Sequence, residues 1–377
     1  MKQGWQTKNL GDLCEIELGK TPARANASLW DEKRETSNVW LSIADLLKTE
    51  DNVVVDSKEY VSDKGAGICK LVPKGTLLVS FKLTLGRLAF AGRDLFTNEA
   101  IAALTIFNER ELSKEFLFYC LTFFDWVKAA ENDVKLKGMT LNKAKLKVMS
   151  VSFPPLAEQQ RIVGLLDEAF EGLATAKANA EKNLQNARAL FESHLQSVFT
   201  QRGPGWVTKT FGEVLEIRNG RNQLEVESPD GEFPIYGSAG KVMGMATDYI
   251  CEAGTTIIGR KGNINSPIYA DTRFWNVDTA FGLASKAGMD SRFLYFFCLS
   301  YDFSAHNRGT TIPSLVKSEL LNIPIPVPPP AEQQRIVGLL DSLQEETQRL
   351  ARFYERKHAA LEALKKSLLH QAFTGAL

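Results

Sequence analysis

The sequence predicts an α+β protein: two mixed α/β domains separated by two long helices that form an antiparallel coiled coil, the whole being a pseudo-two-fold internal repeat. Three observations carry this. First, PPLAEQQRIVGLLD at residues 154–167 returns as PPPAEQQRIVGLLD at 328–341, 174 positions later, with the single change of Leu156 to Pro330. Second, that offset persists without a gap through Leu190/Leu364, Ser193/Ser367, Leu195/Leu369 and Phe199-Thr200/Phe373-Thr374. A loop would accept length changes at little cost, whereas a continuous helix does not. Third, the segments before each shared stretch begin alike and then diverge freely in sequence and length.

The first unit opens Gly4-Trp5-x-Thr7-Lys8-x-x-Gly11, the second Gly205-Trp206-x-Thr208-Lys209-x-x-Gly212. Each continues into Glu-Ile (Glu15-Ile16, Glu216-Ile217) and a glycine (Gly19, Gly220). Further in, Gly75-Thr76-Leu77-Leu78-Val79 parallels Gly254-Thr255-Thr256-Ile257-Ile258, and Gly138-Met139-Thr140-Leu141 parallels Gly309-Thr310-Thr311-Ile312. The expected domains are 1–153, 154–201, 202–327 and 328–377. Within the variable domains, 74–81, 88–91, 100–107 and 255–260 are β-branched or apolar runs that read as strands. The segments 115–130 and 291–303 carry aromatics at helical spacing and read as core helices rather than stacking platforms. Residues 320–327 contain Pro324 and Pro326, which cannot donate to a ladder, so they are irregular or an edge strand.

The shared stretches are the plainest helices. Proline suits a first turn, where the N–H is unpaired anyway, and Glu158 and Glu332 sit near the positive end of the dipole. Apolar residues follow a 4-3 spacing: Ile162, Leu166, Ala169, Leu173, Ala176, Ala180, Leu184, Ala187, Phe191, Leu195 and Val198 in the first helix. In the second they are Ile336, Leu340, Leu343, Thr347, Leu350, Tyr354, His358, Leu361, Leu364 or Lys365, Leu368 and Ala372. A rod of this kind is roughly 65–70 Å long at ~1.5 Å per residue. Small alanines of one seam oppose larger residues of the other when the helices run antiparallel, which leaves His358 as a seam residue. The alternative is that each helix packs only on its own domain. Both helices carry more apolar positions than one seam needs, which suggests a second buried face against partner helices.

The chain of 377 residues is long enough for two to three domains, and its 44% hydrophobic and 24% charged content is that of a globular protein. No apolar stretch approaches the ~18 residues of a membrane span, and the N-terminus lacks a signal-peptide core, so the cytoplasm is the expected compartment. Five scattered cysteines without a CxxC read as core thiols, and four histidines make no ligand spacing with them, so no metal site is expected. Lysine plus arginine equals aspartate plus glutamate at 45 each, which argues mildly against a simple nucleic-acid binder. The distribution is uneven, however. Residues 134–157 hold Lys135, Lys137, Lys143, Lys145 and Lys147 with no acid, a run that also suits a merely solvated face.

No catalytic constellation stands out. There is no GxxxxGK[ST] loop, Gly259-Arg260-Lys261-Gly262 being too short, and Phe153-Pro154-Pro155 lacks the Asn or Asp of an amino-methyltransferase motif. No Ser/His/Asp or Cys/His set is evident. The chain reads as non-catalytic.

These residues together resemble the specificity (S) subunit of type I restriction-modification systems. The resemblance rests on GWxTKxxGxxxEI at the head of each half, PKGTLLVSFKLTLGRL and AGTTIIGRKGNI mid-domain, the Gly-x-Thr element, and the paired PPxAEQQRIV helix starts. It covers essentially the whole chain. It implies that each variable domain is a target recognition domain reading one half of a bipartite site in double-stranded DNA. The helices would then set the half-site separation and dock two methyltransferase subunits, with restriction/translocase subunits joining for cleavage. S-adenosylmethionine, ATP and magnesium would belong to those partners, with no cofactor in this chain and no membrane association. A competing reading is a non-DNA scaffold whose two domains bind peptides or other ligands.

Phosphate contacts need Lys and Arg, and base readout needs Arg, Lys, Asn, Gln, Ser or Thr on loops. The candidates in the first domain are Lys20, Arg24, Lys82, Arg87, Lys135, Lys137, Thr140 and Lys143. In the second they are Arg218, Arg221, Arg260, Lys261, Asn263, Arg308, Thr310 and Thr311. The candidates for partner docking or coil packing are Gln159, Gln160, Leu165 and Leu166, with Gln333, Gln334, Leu339 and Leu340.

Overall fold

A computed structural model describes residues 4–47, 49, 52–131, 134–135, 138–139, 141–238 and 240–374. The chain forms two compact units, Met1–Lys177 with Ala359–Leu377, and Ala178–His358. Two helices of 45 residues, Leu156–Thr200 and Pro330–Thr374, each contribute to both units.

In the first unit a five-stranded sheet has the order Cys14–Leu18, Ile101–Ile106, Leu77–Ser80, Leu88–Ala91, Val53–Val54. The central strand Leu77–Ser80 is wholly buried and runs antiparallel to Ile101–Ile106, Leu78 opposite Ala103. A second sheet is made of Glu59–Tyr60, Val39–Leu41 and Phe96–Thr97. The head motif pairs antiparallel with the strand just before the prolines, Gln6–Asn9 against Ser150–Phe153.

The second unit repeats this plan with its own lengths. Its main sheet runs Leu215–Asn219, Ala280–Ser285, Thr255–Gly259, Ile268–Ala270, again with a wholly buried central strand. Val207–Thr210 pairs with Pro324–Val327, Thr208 opposite Pro326. Residues 320–327 therefore end in a strand of a two-stranded ribbon, which tolerates the prolines because a free edge demands no donor.

Both aromatic helices form and are buried, but shorter than their patterns suggest. The 115–130 segment breaks: Lys114–Phe123 ends at an extended Phe124, and Asp125 caps a new turn, Trp126–Ala129, by accepting the Lys128 N–H. Aspartate competes for backbone donors in this way, so it starts helices rather than continuing them. The 291–303 segment stops at Ser300, and Phe303–His306 is a separate 3-10 turn.

Each unit closes its core with the start of one long helix and the end of the other. In the first, Ile162 and Leu166 join Leu369 and Ala372 in one cluster with Phe116 and Leu117. In the second, Ile336 and Leu340 join Leu195 in one cluster with Phe293 and Phe296. The repeated residues make the same contacts twice. Phe116 meets Trp5 at 6.1 Å and Phe373 at 5.5 Å, while Phe293 meets Trp206 at 6.2 Å and Phe199 at 5.3 Å.

The helices pair antiparallel within each unit. Lys177 bonds Glu362 at 2.9 Å in the first, and Glu181 meets His358 at 3.6 Å and Arg188 meets Glu355 at 3.8 Å in the second. The first helix follows the expected seam at every position from Ile162 to Val198. The second departs from it locally. Leu350 is exposed and Ala351 takes the inner position, and both Leu364 and Lys365 are exposed. The Lys365 ammonium lies 5.0 Å from the Phe170 ring centre.

Candidate functional site

In the second unit the buried strand Thr255–Gly259 runs out into Arg260-Lys261-Gly262-Asn263. Arg260 and Lys261 donate their backbone N–H groups to the Thr279 carbonyl at 2.8 and 3.1 Å. Gly262, at φ 83°, donates to the Pro313 carbonyl at 2.9 Å, and Leu315 donates to the Arg260 carbonyl at 2.8 Å. The Gly-Thr-Thr-Ile loop is therefore fastened to the Arg-Lys loop by backbone bonds. It is closed on itself by Asn307, whose side-chain oxygen accepts from Gly309 N and Ser314 N, both at 2.8 Å. Gly309 is needed for the close approach, since a Cβ there would lie 1.8 Å from the Ile312 carbonyl oxygen.

The result is one platform. Lys261, Asn263, Thr310 and Thr311 are exposed on it, with Arg260 half-buried beneath. The Arg260 guanidinium donates to the Asp278 carbonyl at 3.2 Å and lies 5.8 Å from the Phe281 ring centre. Together with Asn219, Gly220 and Ser314 it lines a cleft. Arg221, exposed, follows Gly220 on that wall and is fixed by its backbone to Asn276 and Trp275.

Two candidates are engaged within the domain. Arg308 is exposed but holds Glu319 at 2.9 Å, and this hydrogen-bonded ion pair keeps the carboxyl below its usual range. Arg218, on strand Leu215–Asn219, is half-buried like Arg260; it donates to the Ile250 carbonyl at 3.0 Å and lies 3.6 Å from Glu216.

The first unit carries the counterpart. Leu141 N donates to the Phe81 carbonyl at 2.9 Å, as Leu315 does to Arg260. The loop 82–86 is closed by Gly86 N on the Ser80 carbonyl at 2.8 Å and by the Ser80 hydroxyl on the Thr84 carbonyl. Lys82 is half-buried with its ammonium 5.3 Å from the Phe81 ring centre, and Arg87 is exposed. Lys143, also exposed, opens the short helix Lys143–Lys147, which Asn142 caps through Lys145 N at 2.9 Å. Lys135 falls in the hairpin Val134–Lys135/Gly138–Met139. Lys137 and Thr140 lie outside the described residues.

Glu99 sits among the cations. Burial opposes its ionisation, yet the Thr21 hydroxyl, its own backbone N–H, and the charges of Lys82 and Arg24 together hold the carboxyl below the usual range. Arg24 lies 4.0 Å from the Trp30 ring centre and 4.8 Å from that of Trp40, and its fork bonds Glu59. Lys20 is exposed, with its carbonyl accepting the Trp40 indole N–H at 3.0 Å.

The fourteen-residue repeat divides into two faces. On the inner face Gln159 is fully buried: its oxygen accepts Ser113 N at 2.9 Å, and its amide donates to the Glu111 and Pro154 carbonyls at 2.7 and 2.9 Å. Gln333 repeats this with Asp290 N at 2.7 Å and the Gly288 and Pro328 carbonyls at 3.0 and 2.9 Å. Asp167 accepts from the Tyr119 hydroxyl, and Asp341 from Arg292 at 2.8 Å. Burial first, and Asp167 second, push the Tyr119 phenol up. Gln159, Gln333, Leu166 and Leu340 therefore anchor each helix to its own domain, which is the packing alternative of the two expected for them and leaves no free polar group or apolar surface for a partner.

The outer face is different. Gln160, Leu165, Gln334 and Leu339 are exposed, the two leucines at 41% and 43%. Gly164 and Gly338 lie between them, and a Cβ on either would meet no atom within 4 Å. A glycine inside a helix weakens it, and packing within the chain does not require one here.

Burial raises every one of the five thiols, Cys69 least completely because it is only partly buried and lies near Lys20. Burial pushes Cys14 and Cys251 up to about 12 and drives Cys120 and Cys298 higher still. Among the described residues no group of three His, Cys, Asp or Glu is placed to hold a metal, and no helix is long and apolar enough to cross a membrane.

Sequence reasoning missed Asn307, whose Asn-x-Gly spacing is an Asx-turn signal, and the Trp30/Trp40 pair around Arg24.

A family model described as the type I restriction modification DNA specificity domain matches residues 2–184 and again 204–353. The MjaIX type I restriction enzyme specificity subunit of Methanocaldococcus jannaschii is 24% identical over 385 residues, spanning 90% of this chain and 86% of that protein. A solved chain from a study of complex assembly and conformational transition in a type I R-M system superposes with a TM-score of 0.82 at 20% identity, covering 100% of this chain and 99% of that one. The HsdS subunit from Thermoanaerobacter tengcongensis superposes with a TM-score of 0.60 at 19% identity, covering 100% and 98%. These two share the fold.

Proposed function

The chain belongs to the type I restriction-modification DNA specificity family, and from that premise we propose that its two units each read one half of a bipartite site in double-stranded DNA. As a member of that family it is a non-catalytic subunit. The helices Leu156–Thr200 and Pro330–Thr374 set the distance between the half-sites and dock two methyltransferase subunits, which restriction/translocase subunits join. S-adenosylmethionine, ATP and magnesium act in those partners, and the complex works in the cytoplasm. The recognition domains are 1–153 and 202–327, and the spacer helices 154–201 and 328–377.

One observation carries the reading: in both units a backbone bond fastens the loop after the buried strand to the segment before the short lysine-led helix, Leu141 to Phe81 and Leu315, three residues past the sequence match Ile312, to Arg260. The proposed reading face of the first unit comprises Lys20, Arg24, Lys82, Arg87, Lys135, Lys137, Thr140 and Lys143. That of the second comprises Arg260, Lys261, Asn263, Thr310 and Thr311, flanked by Arg221 and Arg308. Exposed cations supply the salt-dependent phosphate term, and half-buried Arg260 and the hydroxyls supply base contacts. The outward face Gln160-Gly164-Leu165, identical to Gln334-Gly338-Leu339, supports two copies of one partner. A scaffold for unrelated peptides has no support from the family assignment.

The test is binding of the chain, assembled with its methyltransferase partner, to matched and mismatched duplexes across a salt series. Sequence-specific binding that weakens with salt is expected, and Lys137→Ala should flatten the salt slope by about one. Binding that ignores sequence at every salt concentration contradicts the reading.

A further inference from the structure

Leu83 has φ 63°, in the left-handed region where Cβ crowds the following carbonyl. The matching position in the second unit, one residue after the lysine that follows the buried strand, is Gly262 at φ 83°. The turn thus asks for glycine, and the first unit supplies leucine. Burial does not offset the strain, since Leu83 is 54% exposed. Among the described residues, the two other left-handed ones that are not glycine have local reasons. Asn52 is of a type that tolerates this region, and Arg34 is held by Asp56 at 2.7 Å. Strain kept at an exposed site points to a use for the side chain.

The neighbours narrow that use. Lys82 precedes Leu83, and exposed Arg87 closes the same hairpin loop. An aliphatic group at the tip of a cationic loop gains nothing from phosphates or from the donors and acceptors of base edges. The apolar group in the major groove is the C5-methyl of thymine. We propose that Leu83 is a specificity-determining residue of the first unit that packs on a thymine methyl group in its half-site. This rests on the DNA-reading function proposed above.

The test uses the chain assembled with its methyltransferase partner and duplexes in which each thymine of the methylated motif is replaced, one at a time, by uracil. One replacement should weaken wild-type binding about fourfold, the value of one buried methyl group. Leu83→Gly and Leu83→Asn should bind thymine and uracil at that position equally, and Leu83→Gly should melt no lower than wild type because its turn is relaxed. If the wild-type complex selects its target but no uracil position distinguishes it from both variants, the inference fails while the DNA-reading function stands. A uniform loss on all sequences makes Leu83 a wedge between base steps and also overturns it. A wild-type complex with no sequence preference overturns both.

Discussion

Gln159 and Gln160 are neighbours with opposite duties, and the difference is measurable. Gln159→Leu removes the acceptor of Ser113 N and the donor to two carbonyls, all at a buried site. The expected loss is about 1–3 kcal/mol per orphaned group, seen as a lower Tm. Gln160→Leu, on the exposed face, should leave Tm within experimental scatter. At the same scale, Cys14 and Cys251 should resist alkylation in the native protein at neutral pH and react only after unfolding, since burial holds both near 12. The sequence makes Cys14, Cys251 and Cys298 legible as core residues, whereas Cys69 and Cys120 are only partly buried. It does not separate Gln159 from Gln160, because two identical side chains in a row differ only in which way the helix turns them.

The two long helices are the most legible elements, because a 4-3 apolar pattern has few other solutions. The slip from Leu350 to Ala351 was hidden, since hydropathy favours leucine while the seam accepts the smaller neighbour. The break at Phe124-Asp125 was hidden for a similar reason: a run of aromatics looks helical, and one capping aspartate outweighs it. The glycines of the repeat make a sharper test. Gly164→Ala with Gly338→Ala adds methyl groups into open space and should stabilise each helix by about 0.5–1 kcal/mol. If the outer face receives a closely approaching partner, the same pair should weaken methyltransferase assembly, read by co-purification. Higher Tm with unchanged assembly would remove the glycines from the docking face.

For the molecule as a whole, the account depends on duplication. The twofold plan was legible because identical residues do identical work: Trp5 and Trp206, Phe373 and Phe199, Gln159 and Gln333. The surroundings of the proposed reading residues are only partly legible. Arg218 and Arg308 look like free cations in a string of letters, and only the folded backbone puts Ile250 and Glu319 beside them. If the helices set the spacing, a matched seven-residue insertion in both adds about 10 Å, on the order of three base pairs of unread spacer, with both half-sites unchanged. The most direct measurement of the central claim is the methylated motif of a cell carrying this chain and its partner, read by modification-sensitive sequencing, for wild type and for Lys261→Ala with Asn263→Ala. Independent reading by each unit predicts a bipartite motif in which one half relaxes and the other stays intact. A single continuous motif, or two halves that degrade together, would contradict it.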